Sequence, residues 1–360
     1  MRLPENMQAM VTMGHGDIDQ LVFYPDWPVP MPKGDEVLIK VGACGLNNTD
    51  VNTRTGWYSK AVSAATTGAS YARVDEEDPT WGGVPISFPR IQGADVCGEI
   101  VAVGDGVDPA RIGERVITDN WLRDPKDPTH VDKIGYFGSE RDGGFAQYTT
   151  IPTTNALAIN SPLSDAELAT FSCSYSTAEG MLTRASVTET DCVLISGASG
   201  GVGSALVQLA KLRGARVIAL ASDAKNAAVA GLGADLVLPR HPDNLKQILQ
   251  GQSISVVADI VGGENWSNLI EVLDRGGRYV CSGAIAGPIV NFDLRTFYLR
   301  DLTFFGSTVI DPKVMGNLVC HIEAGHIKPL LAATYPLREL RDAQTAFIQK
   351  THIGNIVVTP

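Results

Sequence analysis

Two stretches of the sequence combine residue types that can do chemistry, and the first is GACGLNNTDVN at residues 42–52. It places Asn47, Asn48 and Asp50 just after a predicted strand and turn, and Tyr58 follows shortly afterwards. A side-chain amide donates and accepts hydrogen bonds, but zinc sites use thiolate, imidazole or carboxylate instead. A phenol, with a reference pKa of about 10, is protonated at neutral pH and can donate a proton. The chemistry of this stretch therefore depends on whether an asparagine occupies a metal-ligand position.

The second stretch, VLISGASGGVGSALVQLAKLRGARVIAL, has the pattern of a phosphate-binding turn. A buried strand at 193–196 ends in glycines, a helix is predicted to begin near Gly203, and a second strand covers 216–220. Gly200 lets a backbone approach a pyrophosphate, Gly203 lets helix and strand pack closely, and the free amides of the helix start face the anion. The alternative is an ordinary tight strand-to-helix turn. The pattern predicts a dinucleotide site formed by Ala198, Ser199, Gly200, Gly201, Val202 and Gly203.

The end of the second strand indicates which dinucleotide is preferred. NAD-specific sites usually place a carboxylate there to bind the ribose hydroxyls, whereas this chain has Ala221 followed by Ser222. Ser222 can donate to a 2′-phosphate and Lys225 can supply positive charge. Asp223 argues the other way, since a small shift would bring its charge against the phosphate. We expect NADP(H), with NAD as the alternative.

The elements that must position these residues fall into two groups. The opening third reads as short strands separated by turns, which favours a β-rich, partly open barrel. From about residue 162, where Ser164 and Glu167 form a predicted capping box, strands and helices alternate through residue 284 and predict a parallel sheet covered on both faces. The tail ends in HIGNIVVTP, a strand that could rejoin the first sheet. Residues 61–89 show no periodic pattern of apolar residues, so they are either a surface loop or a lid. The lid is suggested by aromatic residues that flank the segment or lie within it: Trp57, Tyr58 and Trp81.

Composition narrows the class of protein. The chain has 360 residues, 44% of them hydrophobic, and a formal net charge of −11, which disfavours a nucleic-acid or anionic-membrane surface. The N-terminal residues show no secretion signal and no apolar stretch is long enough to cross a bilayer, so we expect a cytoplasmic protein with a small-molecule substrate. The six cysteines are scattered without C-x-x-C spacing and are expected to be reduced.

Several segments together resemble one family: GACGLNNTD, GADVCGEIVAVGDGV, GERV, GGFAQYTTIP, GASGGVGSALVQLAK, DIVGG, FFGST and HIGNIVVTP. As a set they are similar to the medium-chain dehydrogenase/reductase superfamily over nearly the whole chain outside 61–89. The resemblance implies an α/β fold with a GroES-like catalytic domain (1–157 and 306–360), a Rossmann cofactor domain (158–305) and an active site in the cleft between them. Homodimers are common in this family, so a homodimer is expected.

Zinc-dependent members of this superfamily use a Cys, a His in a GHE segment and a second Cys. The corresponding positions here are Asn47, Ala94 and Cys173, so only one ligand type remains. The four-cysteine structural zinc lobe is also missing, because no Cys occurs between Cys97 and Cys173. The chain thus resembles the zinc-free quinone oxidoreductase and enoyl reductase branch, and no metal is expected.

Within that branch the resemblance implies catalytic roles for Asn47, Asp50 and Tyr58, with Tyr58 as hydrogen-bond or proton donor and Asp50 orienting the loop. It also implies that Thr177, Gly262 and Gly283 contact the cofactor. The alternatives are that Tyr58 is an ordinary packing residue, that Asp50 caps a helix beginning at Val51, and that Asn47 satisfies a turn. The expected activity is hydride transfer from NADPH to a quinone or an enone or enoyl double bond. The alternatives are an alcohol dehydrogenase with an unconventional metal site and a non-catalytic NADPH-binding protein.

Overall fold

The computed structural model describes residues 3–69, 71 and 85–360. The strands are β1 (Asn6–Thr12), β2 (Leu21–Pro28), β3 (Glu36–Gly45), β4 (Asp95–Val103), β5 (Arg115–Thr118), β6 (Trp121–Leu122), β7 (Gly135–Tyr136), β8 (Tyr148–Pro152), β9 (Ala156–Ala158), β10 (Cys192–Ile195), β11 (Arg216–Ala221), β12 (Leu236–Pro239), β13 (Val256–Asp259), β14 (Arg278–Cys281), β15 (Thr303–Gly306), β16 (Leu331–Pro336) and β17 (Asn355–Thr359). The helices are α1 (Asn48–Thr55), α2 (Asp165–Leu168), α3 (Ser172–Arg184), α4 (Gly201–Leu212), α5 (Asn226–Gly231), α6 (Leu245–Ile248), α7 (Trp266–Glu271), α8 (Leu294–Tyr298), α9 (Lys313–Glu323) and α10 (Leu340–Ile348). No described helix is long and apolar enough to cross a membrane.

The chain divides into two compact units. The first comprises Met1–Val62, Thr67–Cys173 and Asp311–Pro360, and the second comprises Ser63–Thr66 and Ser174–Ile310. The boundaries proposed from the sequence, at 157/158 and 305/306, each precede the position where the structure changes unit. Of the aromatic residues assigned to a lid, Trp81 lies outside the described residues.

The first unit is a GroES-like β domain. Its main sheet has the order β16-β17-β3-β4-β5-β9, and β8 also pairs with β3. Every pair is antiparallel except β16 with β17. Alternate residues of β3 such as Val37 and Ile39 join the buried core with Phe145 and Ile356, so this long strand anchors the unit. The expectation that the closing strand returns to the first sheet is confirmed, because Val357 of β17 pairs with Gly45.

The second unit has the Rossmann-like parallel sheet expected from the alternation of strands and helices. Its order is β12-β11-β10-β13-β14-β15, with every neighbouring pair parallel. Every residue of β10 and β13 is buried, which is the pattern of strands covered on both faces. The Ser164–Glu167 capping box is also confirmed, at the start of α2 in the first unit. The order reverses beside β10, and ligands of such sheets bind at this point, outside the carboxyl ends of the strands.

Candidate active site and cofactor site

Asn47 and Asp50 form the start of helix α1. The helix expected from Val51 begins at Asn48 instead, so Asn47 is the capping residue and Asp50 is the third residue of the helix. The Asn47 N–H donates to Asp50 Oδ2 over 2.7 Å, and the Gly93 N–H donates to Asp50 Oδ1 over 3.2 Å. Asp50 therefore ties the α1 turn to the segment before β4, which agrees with an orienting role.

A second buried carboxylate, Asp95, lies at the start of β4. It is 1% exposed, and its Oδ1 accepts from Asn120 Nδ2 at 2.8 Å and from the Cys173 N–H at 3.0 Å. Asn120 Nδ2 also approaches the Tyr136 hydroxyl at 3.3 Å. Asp95 thus fixes the backbone at Cys173, the one residue at the three positions that has a zinc-ligand side chain.

The Asn47 side chain points into this polar cluster. The residue is 7% exposed, and its Nδ2 is buried without a hydrogen bond. The amide lies close enough to Asp95 to lower that carboxyl's pKa, but not in hydrogen-bond geometry. A buried donor without an acceptor costs about 1–3 kcal/mol, so this amide is poised to bind an acceptor supplied by a ligand.

Burial makes both carboxylates of the cluster weak acids. Desolvation raises the pKa of Asp50 to about 7, assisted by the charge of Asp95 and opposed by hydrogen bonds from the Asn47 and Gly93 amides. Desolvation likewise raises the pKa of Asp95 to about 6, opposed by Asn47, Asn120 and Cys173. The pKa of the Cys44 thiol is also raised by burial, and then by both carboxylates. The cluster therefore carries less negative charge at neutral pH than its two aspartates suggest.

Tyr58 presents its ring to solvent and its hydroxyl to the protein. The residue is 38% exposed, but its hydroxyl group is buried and hydrogen-bonded with the Asn52 side chain. Burial raises the pKa of Tyr58 above its usual value, and the nearby Cys173 and Asp50 add to this rise. The hydroxyl remains protonated at neutral pH, as a hydrogen-bond donor must. The structure thus brings Tyr58, Asp50 and Asn47 into one region of the first unit.

The residues at the three described ligand positions do not fit a catalytic zinc ion. Asn47 offers only a neutral amide at the N-cap position of α1, and the Ala94 side chain has no atom that could bind a metal, so Cys173 is the one residue of the three with a typical zinc ligand. Among the described residues, no three His, Cys, Asp or Glu side chains are grouped so as to hold a metal. A zinc site needs at least three such protein ligands.

The glycine-rich turn of the second unit has the geometry of a phosphate cradle. Gly197 has φ +60°, and a Cβ on Gly203 would lie 2.1 Å from the Gly197 carbonyl oxygen, so both positions require glycine. A Cβ on Gly200 would meet nothing in the protein closer than 3.8 Å, so the space above it is open. Helix α4 begins at Gly201, directly after Gly200, and its first amides lack helical acceptors. These features fit a pyrophosphate resting on the turn.

The other predicted cofactor contacts of the turn lie where the sequence places them. Ala198 and Ser199 are buried in the turn, and Gly201 and Val202 are the first residues of α4. Ala221 is the last residue of β11, so no carboxylate ends this strand. Ser222 follows it, and its carbonyl accepts from the Lys225 N–H at 2.8 Å.

Arg240 is a candidate site residue that was not predicted from the sequence. It follows β12 and lines a pocket with Ser196, Gly197, Leu220, His241 and Gly262. Burial lowers the pKa of Lys225, and the positive charge of Arg240 lowers it further, so the two cations are neighbours. Carboxyl ends of adjacent parallel strands meet at one edge of a sheet, and that rule would have pointed from Ser222 to Arg240.

The remaining predicted contacts lie on two loops and one helix. Gly262 has φ +60° in the loop after β13, and a Cβ on Gly283 would lie 3.1 Å from the Ile260 carbonyl, so these two loops are neighbours. Thr177 is a half-buried residue of α3. Gly262 shares the pocket of the glycine-rich turn, whereas neither Thr177 nor Gly283 lines it.

Comparison with known proteins identifies the family. Residues 33–161 match the family described as alcohol dehydrogenase GroES-like domain, and residues 201–323 match zinc-binding dehydrogenase. The solved structure of a putative alcohol dehydrogenase from Sinorhizobium meliloti 1021 is 45% identical, with a TM-score of 0.90 over 99% of this chain and 98% of its own. The chain belongs to the medium-chain dehydrogenase/reductase superfamily. It is an NAD(P)H-dependent oxidoreductase.

Relatives with different names match about equally well. Acryloyl-coenzyme A reductase from Metallosphaera sedula is 27% identical over 98% of this chain and 100% of its own length. Quinone oxidoreductase from Rattus norvegicus is 26% identical over 96% of this chain and 95% of its own length. NAD-dependent alcohol dehydrogenase from Sulfolobus acidocaldarius is 27% identical over 94% of this chain and 95% of its own length. The names support an oxidoreductase of this superfamily and differ in the substrate.

Proposed function

We propose that this protein is a zinc-independent reductase that transfers hydride from NADPH to an activated double bond of an enone or enoyl thioester, or to a quinone. One observation carries the proposal. The position of the first metal ligand is held by Asn47, a buried neutral donor that makes no hydrogen bond through Nδ2. The names acryloyl-coenzyme A reductase and quinone oxidoreductase among the relatives support the same class of acceptor.

NADPH, when bound, supplies a hydride to the β-carbon of the acceptor, which places negative charge on the conjugated carbonyl oxygen. Tyr58 donates a hydrogen bond to that oxygen and then its proton, and the Tyr58 phenolate takes up a proton from water once the product has left the site. Asn47 Nδ2 is the second donor to the same oxygen. Preorganised donors at the site of developing charge typically contribute about 10²–10³ in kcat. Asp50 holds the Asn47 turn in place through its hydrogen bond to the backbone.

The preference for NADPH over NADH is supported by charge at the end of β11. Lys225 and Arg240 are close enough to influence each other, and Ser222 stands between Ala221 and the exposed Asp223. Two cations and a hydroxyl suit a 2′-phosphate, whereas the paired ribose hydroxyls of NAD favour a carboxylate. The affinities for NADPH and NADH, measured by fluorescence titration, test this assignment, and equal affinities would contradict it.

The experiment that tests the function is NADPH oxidation with quinones, short enones and enoyl-CoA esters as acceptors. Tyr58→Phe should lower kcat about 10²-fold on every active acceptor, because one donor to the developing charge is lost. Tyr335→Phe, on β16 of the same unit, removes the same hydroxyl away from the cluster and should leave kcat unchanged. Equal rates for Tyr58→Phe and the unaltered enzyme would remove Tyr58 from the mechanism. NADPH binding with no oxidation of NADPH by any acceptor would favour a non-catalytic protein.

A second candidate, zinc-type alcohol dehydrogenase, is favoured by the name of the 45% identical structure and by the retained Cys173. Elemental analysis of unchelated protein, combined with alcohol oxidation in the presence of NAD or NADP, separates the two candidates. Stoichiometric zinc that is required for alcohol oxidation would replace the reductase proposal.

A homodimer with a cytoplasmic location completes the proposal. Strand β15 is at the edge of the parallel sheet, and a cluster of exposed apolar side chains precedes it: Ile289, Val290, Leu294, Tyr298 and Leu299. Exposed apolar side chains in the segment that leads into an edge strand suit pairing with a second copy of the chain. Light scattering after size exclusion should give twice the chain mass, and Leu294→Glu should shift it towards the monomer. A monomer at all concentrations would contradict the dimer.

A further inference from the structure

Asp259 is a fully buried carboxylate that the proposed chemistry does not use. It is the last residue of β13 and is 0% exposed. A buried charge is costly unless it is paired or fully hydrogen-bonded. None of the described Lys, Arg or His side chains forms an ion pair or hydrogen bond with Asp259, so its stabilisation comes from neutral donors.

Those donors come from three different loops or strands. Asp259 Oδ1 accepts from the Ser196 hydroxyl and from the Val261 N–H at 2.9 Å. Oδ2 accepts from the Tyr279 hydroxyl at 2.8 Å, and the Gly262 N–H lies 3.3 Å from both oxygens. Ser196 Oγ in turn accepts from the Ile260 N–H at 3.1 Å.

Two of these donors adjoin the cofactor site. Ser196 immediately precedes Gly197, the left-handed residue that opens the glycine-rich turn. Gly262 lies in the facing loop, and a Cβ on Gly197 would lie 3.0 Å from Val261 Cγ2. Both Ser196 and Gly262 line the same pocket. One carboxylate thus joins the two loops that form the walls of this pocket.

We propose that Asp259 is a positioning residue that locks the glycine-rich turn against the 260–263 loop and so preorganises the backbone amides that receive the dinucleotide. The inference rests on the proposed function, because it needs a dinucleotide at this turn. A site ordered before binding loses less entropy when the ligand arrives. Loss of the carboxylate should therefore weaken cofactor affinity beyond any loss of fold stability.

The same pair of strands offers a matched control at the opposite edge of the sheet. Asp191 precedes β10 and accepts from the Ser255 hydroxyl, which precedes β13, at 2.7 Å. It also accepts from the Thr188 N–H at 2.8 Å and pairs with Arg278. Asp191–Ser255 therefore joins β10 and β13 at their amino ends, just as Asp259–Ser196 joins them at their carboxyl ends. Of the two pairs, only Asp259–Ser196 adjoins the glycine-rich turn.

The experiment compares Asp259→Asn, Ser196→Ala, Asp191→Asn and Ser255→Ala in the full-length protein. The dissociation constants of NADPH and NADP⁺ are measured by fluorescence titration, and the melting temperature is measured without cofactor. We expect Asp259→Asn to raise both dissociation constants about 10- to 100-fold, the range that corresponds to the loss of one hydrogen bond to a charged group. Ser196→Ala should raise both dissociation constants by a smaller factor. In the Asp259→Asn/Ser196→Ala double variant the dissociation constants should rise by less than the product of the two single-variant factors.

Asp191→Asn and Ser255→Ala should lower the melting temperature but change the dissociation constants less than about twofold. In steady-state assays the KM for NADPH should rise in Asp259→Asn while the KM for the acceptor stays constant. Unchanged cofactor affinity in Asp259→Asn, or an equal loss in Asp191→Asn, would overturn the positioning role. If Asp259→Asn does not fold, unchanged affinity in Ser196→Ala would overturn the role in its place. Absence of dinucleotide binding by the unaltered protein would instead refute the proposed function, and the positioning role with it.

Discussion

Replacing Asp50 by Asn should change how the stability of the protein depends on pH. Burial raises the pKa of Asp50 from 3.8 to about 7 in the folded chain. Between these two values the folded state keeps the proton while the unfolded state has lost it, so the free energy of unfolding falls as pH rises. Above pH 7 both states are ionised and this contribution no longer changes.

The size of the effect follows from the same shift. Each pH unit within this interval costs about 1.4 kcal/mol of stability, so the unaltered protein loses about 2.7 kcal/mol through Asp50 between pH 5 and pH 7. Asp50→Asn does not titrate and avoids this loss. The free energy of unfolding of the variant minus that of the unaltered protein should therefore be about 2–3 kcal/mol larger at pH 8 than at pH 5. Any hydrogen bond lost by the substitution shifts both measurements equally.

Urea unfolding followed by intrinsic fluorescence at pH 5 and pH 8 measures this difference. The control is Asp108→Asn, which removes an exposed carboxylate that accepts from the Ala110 N–H in the same unit. Its stability difference from the unaltered protein at the two pH values is the baseline against which Asp50→Asn is compared. If the Asp50→Asn difference changes between the two pH values by no more than this baseline, Asp50 is ionised in the folded protein and the description of the cluster as weakly charged is wrong.

Three further outcomes are expected. Gly200→Ala should keep the melting temperature but weaken NADPH binding at least about tenfold, because its Cβ fits the protein and occupies the open space above the turn. Gly203→Ala should also lower the melting temperature, because its Cβ would lie 2.1 Å from the Gly197 oxygen. Arg240→Ala should weaken NADPH binding about tenfold in a fluorescence titration and leave NADH binding unchanged, since only NADPH carries the 2′-phosphate. Arg54→Met should lower the free energy of unfolding by about 3 kcal/mol in urea, because the buried guanidinium donates to Gln344 Oε1, the Gly16 carbonyl and the Gly68 carbonyl, which then lose their donor.

Each of these outcomes has a contrary result. Full NADPH affinity in Gly200→Ala would mean that the dinucleotide does not rest on the turn. A parallel loss of NADPH and NADH affinity in Arg240→Ala would assign Arg240 to a part common to both cofactors. Unchanged stability in Arg54→Met would show that water replaces the guanidinium at all three acceptors.

The cofactor unit was predictable because its signals are local in the sequence. Buried strand, glycine-rich turn and helix are consecutive, so the positions of Gly200 and Gly203 and the parallel sheet follow from short patterns. The return of β17 to the first sheet was also predicted, but from the character of a single strand, and its partner β3 was not. Arg240 was missed because it belongs to a different strand from Ser222, and only the sheet brings the two strand ends together.

The polar cluster was only partly predictable for the same reason. The segment GLNNTD identified Asn47 and Asp50, but not the helix start at Asn48. Asp95, Asn120 and Tyr136 are separated by other strands, and no spacing in the sequence links their side chains. Asp95 could have been noticed, since it directly follows Ala94 in the GAD segment that lacks the second metal ligand. Asp259 was noted only as the first residue of the DIVGG segment, because an aspartate that ends a buried strand looks the same in the sequence whether it faces solvent or the four donors found here.

The position of β17 affects the order in which the ribosome can complete the two units. β17 lies between β16 and β3, yet it is translated only after the whole stretch Ser174–Ile310 has emerged. The cofactor unit, which apart from Ser63–Thr66 is one continuous stretch, can thus finish folding while the carboxyl end of β3, at Cys44 and Gly45, still lacks its partner strand on the nascent chain. A chaperone that shields unpaired strand edges would therefore bind the N-terminal part of this chain.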